Sequence, residues 1–384
     1  MAILLKFVMS LNRRNFLLGT ITTTIGIVIS NCTSSNQKSM PNYQNTGVKL
    51  LSGTPAEDGF YFPPEWEPHE FTIMVFPSRQ NWQGYGIKAA RRDWVNVANT
   101  INEFEPVLMV THPDDSKVAH RMLSGDIEIV EFPLNDAWSR DTAPLFLING
   151  QGERRVAGFT FNGWGEKFPP YEDDALLKAR LCEFLDTPMY ANSLVLEGGG
   201  VIMDGEGTII TTEECLMHPN RNPGVKKEEI ATILKAYLGG EKVIWLGKGV
   251  VPDPITDGHV DGMCTFAAPG VVLLHTTDDT SDPNYQICLD AKRRLQETTD
   301  AKGRKLEIIE LPLGDDVAHI NFYFTNGGII VPIANDPSQD DAPLGILQEV
   351  FPEREVLPVN GNVLAAGGGG VHCITQQVPV VTSP

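Results

Sequence analysis

Near the C-terminus, four consecutive glycines, Gly367 to Gly370, are followed by Val371, His372 and Cys373. Glycines leave the backbone free to take left-handed angles and to approach a ligand closely. A thiol set against the N–H groups of such a loop has surroundings that favour thiolate, the attacking form. A glycine turn ahead of a buried structural cysteine is the plainer alternative. Three other segments carry groups that a cysteine nucleophile acting on a cationic carbon would need. Asn135-Asp136-Ala137-Trp138-Ser139-Arg140-Asp141-Thr142 joins two aspartates, an arginine and a tryptophan. Such a loop can grip a planar cation, with a carboxylate beneath it and an indole beside it. The alternative is a solvated loop in which Arg140 pairs with Asp141 or Asp136. Leu196-Glu197-Gly198-Gly199-Gly200 sets a carboxylate at the end of an apolar strand, ahead of glycines that allow close approach. In Thr256-Asp257-Gly258-His259-Val260-Asp261, His259 and Asp261 stand two apart and on extended chain would face the same side. A carboxylate beside the histidine would orient it for acid and base work, or the two form a satisfied structural pair. A metal reading of His259, Asp261 and Cys264 matches no common zinc spacing, so no metal is expected.

Holding these groups requires strands and turns. Phe71–Phe76, Val107–Val110 and Ile127–Phe132 read as short apolar strands, and Tyr85 to Phe104 as a helix with Trp94, Val95, Val97 and Ile101 on or near one face. A short helix is expected from Lys117 to about Leu123, capped by Ser116. Further helices fall near Asp173–Leu185, Lys226–Leu238, Asn284–Thr298 and Leu344–Phe351. In Lys226–Leu238 the positions Ile230, Ile233, Leu234, Tyr237 and Leu238 make one apolar face. Between the helices lie paired strands: Leu194–Glu197 with Val201–Asp204 and Thr208–Thr211, Cys264–Ala268 with Val271–His275, and Asn321–Thr325 with Gly328–Pro332. Roughly five strand-pair-plus-helix units follow, a rhythm that suggests stacking around an axis with loops converging at one end. A plain mixed α/β sheet is the alternative. The proline-rich, aromatic segment Phe60–Glu70 reads as a rigid surface lead-in.

The chain has 384 residues, 42% of them hydrophobic, enough to bury a full core, and one catalytic domain is expected over residues 56–384. Net charge is −19 with no basic stripe, which argues against nucleic acid and is suited to a cationic small substrate. Residues 1–32 read as an export signal: Asn12-Arg13-Arg14-Asn15-Phe16-Leu17 is a twin-arginine pattern, and an apolar run to Ile29 leads into Ser30-Asn31-Cys32. The location expected is therefore periplasmic, or anchored to the cell envelope through a lipid on Cys32. Residues 33–55, polar and rich in Ser, Asn and Gly, read as a flexible tether. The six cysteines include Cys182, Cys264 and Cys288 within apolar stretches, where free thiols are expected rather than a disulfide framework. Self-association is left open.

Taken together, Trp138-Ser139-Arg140-Asp141-Thr142, Phe161-Asn162-Gly163-Trp164-Gly165, Leu196-Glu197-Gly198-Gly199, Thr256-Asp257-Gly258-His259-Val260-Asp261 and Gly368-Gly369-Gly370-Val371-His372-Cys373 resemble the agmatine deiminases. These stand with the bacterial-type peptidylarginine deiminases in the guanidino-group-modifying superfamily. The resemblance runs from about Pro63 to Pro379 and includes Thr211-Thr212-Glu213-Glu214-Cys215-Leu216 and Asn220-Arg221-Asn222-Pro223. It implies an α/β fold of the pentein kind, a five-bladed propeller of ββαβ repeats. It also implies that Cys373 is the nucleophile, His259 the general acid and base, and Asp141 and Asp261 the carboxylates that hold the guanidinium. Glu197 would be a further carboxylate that binds the guanidinium or aids proton transfer, with Trp138 and Trp164 lining the substrate site. No metal or organic cofactor is implied. Gly165-Glu166-Lys167 and Ala143 depart from glycines common at those places in the family.

The implied reaction is hydrolysis of agmatine to N-carbamoylputrescine and ammonia through a thiouronium on Cys373. An exported deiminase of arginine or peptidylarginine is the nearest rival, since it would share every catalytic residue. An arginine substrate carries a carboxylate, so its site should show a cationic clamp, for which Arg140 and Arg221 are the candidates. A guanidine-binding lipoprotein and an amidinotransferase are the readings from other classes.

Overall fold

Short apolar runs closed by glycines and polar turns fold as strands, and the longer amphipathic stretches between them fold as crossover helices. The computed structural model describes residues 40–381, apart from 44, 45, 79, 80 and 83. The expected signal over 1–32, Cys32 within it, and the first part of the tether lie outside the described residues.

The architecture is α/β. Five times the chain makes an antiparallel strand pair, crosses over through a helix, and lays down a parallel third strand. Leu145–Ile148 and Arg154–Thr160 pair antiparallel, and the helix Glu172–Phe184 returns the chain as Met189–Val195. Ile202–Met203 and Thr208–Thr212 are followed by Lys227–Leu238 and Lys242–Leu246. Cys264–Ala268 and Val271–Thr276 are followed by Asn284–Gln296 and Glu307–Pro312. Tyr323–Phe324 and Gly328–Ile333 are followed by Pro337–Val350 and Glu355–Asn360. The last sheet joins the two ends of the fold: Gln376–Pro379 pairs antiparallel with His69–Val75, and Ile87–Asn102 leads to Val107–Thr111 beside it. A further parallel strand, Glu128–Glu131, completes that sheet after the helix Ser116–Met122.

The helices bury one face each. On Ile87–Asn102 the buried residues Ala90, Trp94, Val97, Ala98 and Ile101 recur at helical spacing. Most helix boundaries fall within a few residues of those read from sequence. The exception starts at Pro337 rather than Leu344, because the Asp336 side chain caps the first turn by accepting from Ser338 N, and Pro343 is carried inside the helix. The described end of the expected tether is not free chain. Leu50–Leu51 runs parallel to Met189–Val195, and Tyr43 is buried. The described cysteines, Cys182, Cys215, Cys264, Cys288 and Cys373, are all free and buried.

Each segment that joins one sheet to the next carries a functional candidate shortly before the next strand begins. Asp141 precedes Leu145–Ile148, Glu197 precedes Ile202–Met203, and His259 and Asp261 precede Cys264–Ala268. Asn321 precedes Tyr323–Phe324, and Cys373 precedes Gln376–Pro379. Function on connections held by a rigid scaffold is the common arrangement.

Candidate active site

Cys373 sits in a 3-10 turn, His372–Ile374, and is 9% exposed. Its Sγ lies 3.4 Å from Asn321 Oδ1 and 3.5 Å from Asp261 Oδ2. Asn321 holds the turn at several points. Its Oδ1 accepts from Cys373 N at 3.3 Å, its backbone O from His372 N at 3.0 Å, and its Nδ2 donates to Asp261 O at 3.3 Å. The glycines preceding the turn are needed for close approach: a Cβ on Gly369 would stand 2.6 Å from the Trp138 ring and 3.0 Å from Cys373 Sγ. The loop does not make a resting thiolate. Burial, followed by the charges of Asp261 and Asp141, pushes the thiol well above its usual range, and the Gly370 N–H and Asn321 offset only part of this.

Asp141 lies on a helical turn, Ser139–Thr142, that follows Trp138. Its Oδ2 accepts from Trp164 Nε1 at 2.8 Å and its Oδ1 from Gly199 N at 3.0 Å. Burial pushes its carboxyl up, and although His259 opposes this, the charges of Glu197 and Asp261 add to it. Asp261 shares its Oδ2 between Cys373 and His372, whose Nδ1 is 2.9 Å away. For Asp261, burial is outweighed by the hydrogen bond and charge of His372, so this carboxyl lies below its usual range. His259 and Asp261 share a face, but through a 3-10 turn, Val260–Gly262, and not through extended chain. Gly199 lies against both: a Cβ there would be 2.6 Å from His259 Nδ1 and 2.8 Å from Asp261 Oδ2.

His259 Nε2 is 3.6 Å from Glu197 Oε2, and its Nδ1 is 4.0 Å from Asp141 Oδ1. Neither ring nitrogen has a hydrogen-bond partner, and neither does Glu197 Oε2, although all three atoms are buried. Burial pulls the imidazole down, but Asp141, Cys215 and Glu197 outweigh it and hold His259 well above its usual range. Glu197 is kept ionised despite complete burial, at about 2, chiefly by Arg221, whose Nε donates to Oε1 at 2.7 Å. Glu197, Cys215 and His259 place donor atoms within 4.8 Å of one another, the one described group that could hold a metal. Arg221 already matches the carboxylate of that group with a cation.

The structure therefore brings Cys373, Asp261, Asp141, His259 and Glu197 together. A cavity of about 360 Å³ opens on Cys373, Asp261 and His259 and is otherwise lined largely by Pro252, Pro254, Ile255, Ala318, Ala365 and the glycines 368–370. Trp138 packs edge-on against Trp94 and beside Gly369, and Trp164 touches Asp141. Neither indole lines this cavity. The two arginines considered as a clamp are committed elsewhere, each 1% exposed. Arg140 donates to Glu65, Gln376, Gln377 and the His372 carbonyl, so the internal pair with Asp141 or Asp136 is not formed. Arg221 donates to Glu197, Asn220, Asp257 and the Thr256 carbonyl. No arginine or lysine lines the cavity among the described residues.

Sequence reading missed Asn321, Glu65 and the part played by His372. Asn321 was read as the first residue of a strand, Asn321–Thr325, whereas the strand begins at Tyr323 and leaves Asn321 on the connection before it, as Asp261 and Cys373 are on theirs. Glu65 gave no signal. It lies in the segment read as a surface lead-in, yet that segment folds inward, with Phe60 and Phe62 buried and Glu65 on Arg140 and His372.

The family profile of Porphyromonas-type peptidyl-arginine deiminase matches residues 61–379. The agmatine deiminase of Ectopseudomonas mendocina (strain ymp) is 42% identical over 86% of this chain and 99% of its own. That of Pseudomonas aeruginosa (strain LESB58) is 42% identical over 85% of this chain and 98% of its own. The structure of the Enterococcus faecalis agmatine deiminase is 37% identical with a TM-score of 0.83, covering 87% of this chain and 99% of that one. On the match of the profile, the identity over nearly the whole of each relative and the shared architecture, the chain belongs to the Porphyromonas-type peptidyl-arginine deiminase family.

Proposed function

We propose that the protein hydrolyses agmatine to N-carbamoylputrescine and ammonia through a covalent adduct on Cys373. The observation that carries this reading is a buried thiol beside the Asp261 carboxylate, with His259 close to Asp141 and Glu197 and, among the described residues, no arginine or lysine lining the cavity. Asp141 and Asp261 hold the guanidinium in one orientation and keep it protonated, which preserves its electrophilicity. The arriving cation neutralises the charges of Asp261 and Asp141, which add to burial in holding the Cys373 thiol protonated, so the thiol gives up its proton to solvent as substrate binds. The sulfur adds to the central carbon, and the C–N bond breaks as His259 gives its proton to the departing ammonia. Neutral His259 then takes a proton from water, whose oxygen adds to the thiouronium carbon. Collapse breaks the C–S bond and passes the hydroxyl proton to the departing sulfur, leaving the urea group and restoring the Cys373 thiol. Glu197, held ionised by Arg221, keeps the histidine charged between turnovers.

Agmatine is favoured over arginine because an α-carboxylate would enter a cavity lined by Asp253 and Asp261 and, among the described residues, by no arginine or lysine. The five strand-pair-plus-helix units, each with a site residue on the connection that precedes it, are read as blades of one propeller. The twin-arginine pattern and Cys32 support export with lipid attachment, to be checked by cell fractionation of the native chain and of Cys32→Ser. The decisive experiment measures ammonia release from agmatine, free arginine and a short arginine-containing peptide, with Cys373→Ser alongside. Turnover is expected with agmatine preferred, falling by at least about a thousandfold in the serine variant with the fold retained. Preference for arginine or the peptide would overturn the substrate, and full activity of Cys373→Ser would overturn the mechanism.

A further inference from the structure

His372 is the buried titratable group nearest the nucleophile that the mechanism leaves unused. Its ring bridges two carboxylates: Nδ1 is 2.9 Å from Asp261 Oδ2, and Nε2 is 2.8 and 3.0 Å from the two oxygens of Glu65. A ring with an acceptor on each nitrogen donates from both and carries a positive charge. Asp261 Oδ2 is the same oxygen that meets Cys373 Sγ. Glu65 arrives from the other end of the chain and is fixed in turn by Arg140, whose Nη1 is 3.2 Å away. We propose that Glu65 and His372 form a positioning pair that holds Asp261 in place, and in its charged form, beside Cys373.

The inference rests on the reading of Cys373 and Asp261 given above and deepens it. Buried beside a thiol and facing Asp141, Asp261 would otherwise gain a proton readily, and a neutral acid grips a guanidinium poorly. His372 supplies a matching charge from behind, on the side away from the cavity. The charged and titratable groups around the pair are Arg140 beside Glu65 and the His372 carbonyl, His69 and Tyr323 toward Glu65, and Asp141, His259 and Cys373 toward Asp261. The direction of each carboxyl agrees, Glu65 being held at about 2 and Asp261 below its usual range, in each case against burial.

The test is the pH dependence of agmatine hydrolysis by the full chain. His372→Asn keeps an amide N–H where Nδ1 donates and removes the charge. Loss of that charge raises the pKa of Asp261, so the acid limb of kcat/KM should move up by about one pH unit. KM should rise severalfold while plateau kcat changes by less than about threefold, a split that general loosening of the fold does not give. Glu65→Gln should act on the opposite limb. His372, with one carboxylate removed, loses its proton at lower pH, so the alkaline limb moves down while the acid limb stays. Failure of the native protein to release ammonia from agmatine would count against the functional reading. Native turnover with unshifted limbs in both variants would overturn the positioning pair alone.

Discussion

Arg221 carries the electrostatics of the acid–base half of the site. It is buried, and its three nitrogens meet Glu197 Oε1 at 2.7 Å, Asn220 Oδ1 and Asp257 Oδ2 at 2.9 and 2.8 Å, and the Thr256 carbonyl at 3.0 Å. Removing one partner of such a pair strands a charge in a dry interior, at a cost of about 3–5 kcal/mol. Arg221→Met should lower stability by that order in urea unfolding at neutral pH. The pH dependence gives a second reading of the same contact. Glu197 has a folded pKa of about 2 against 4.5 as its ordinary value. Because the folded value is the lower, its contribution is full above about 4.5 and is lost as pH falls toward 2. The native protein should therefore lose stability across that window more steeply than Arg221→Met, in which Glu197 no longer has its cation. Equal slopes on the acid side would remove Arg221 from this role.

At the scale of elements, the turn Gly198–Gly200 does more than join two strands. It donates Gly199 N to Asp141, and its Cα faces His259 and Asp261 so closely that a methyl group would overlap both side chains. Backbone at 198 and 199 cannot yield easily, because a Cβ at Gly198 would stand 2.2 Å from the Arg140 carbonyl oxygen. Gly199→Ala should then displace the acid–base and guanidinium-binding side chains together, lowering kcat/KM by about a hundredfold or more. Circular dichroism should still show the native secondary structure. Activity within threefold of native would mean that the turn relaxes without moving the side chains. The need for this glycine was visible in sequence as a carboxylate followed by three glycines. Most of the helices and two of the strand pairs, Cys264–Ala268 with Val271–Thr276 and Tyr323–Phe324 with Gly328–Ile333, were legible too, because hydrophobic period and turn residues are local signals. Leu194–Glu197, expected beside Val201–Asp204, belongs instead to a strand parallel to Arg154–Thr160. What was not legible depends on distant chain. Glu65 reaches His372 across 307 positions, and Arg140 reaches Gln377 across 237. Residue type and spacing give no account of such partners, so Arg140 was read as half of an internal pair or as a candidate clamp, and its contacts with Glu65, Gln376 and Gln377 were not foreseen.

Across the whole molecule, charge and shape act together on the substrate. The chain carries −19 overall. A second cavity of about 490 Å³ shares Val250, Pro252 and Ala318 with the catalytic one and is lined by Asp279, Asp282, Asp315 and Asp316, with no arginine or lysine among its lining residues. Agmatine, with a guanidinium at one end and an ammonium at the other, is drawn toward such a surface from solution. A field of one sign around a cleft raises the rate of encounter and fades as salt shortens the Debye length, from about 30 Å at 0.01 M to about 8 Å at 0.15 M. The Asp141 and Asp261 carboxylates are buried, and contacts to them are far less screened. The two effects separate in kinetics. Raising the ionic strength from about 0.01 to 0.15 M should lower kcat/KM for agmatine severalfold while kcat at saturation holds. Arginine, whose α-carboxylate cancels one positive charge, should show a shallower slope. Parallel slopes for the two substrates would mean that the acidic surface does not select between them, leaving selection to the cavity lining alone.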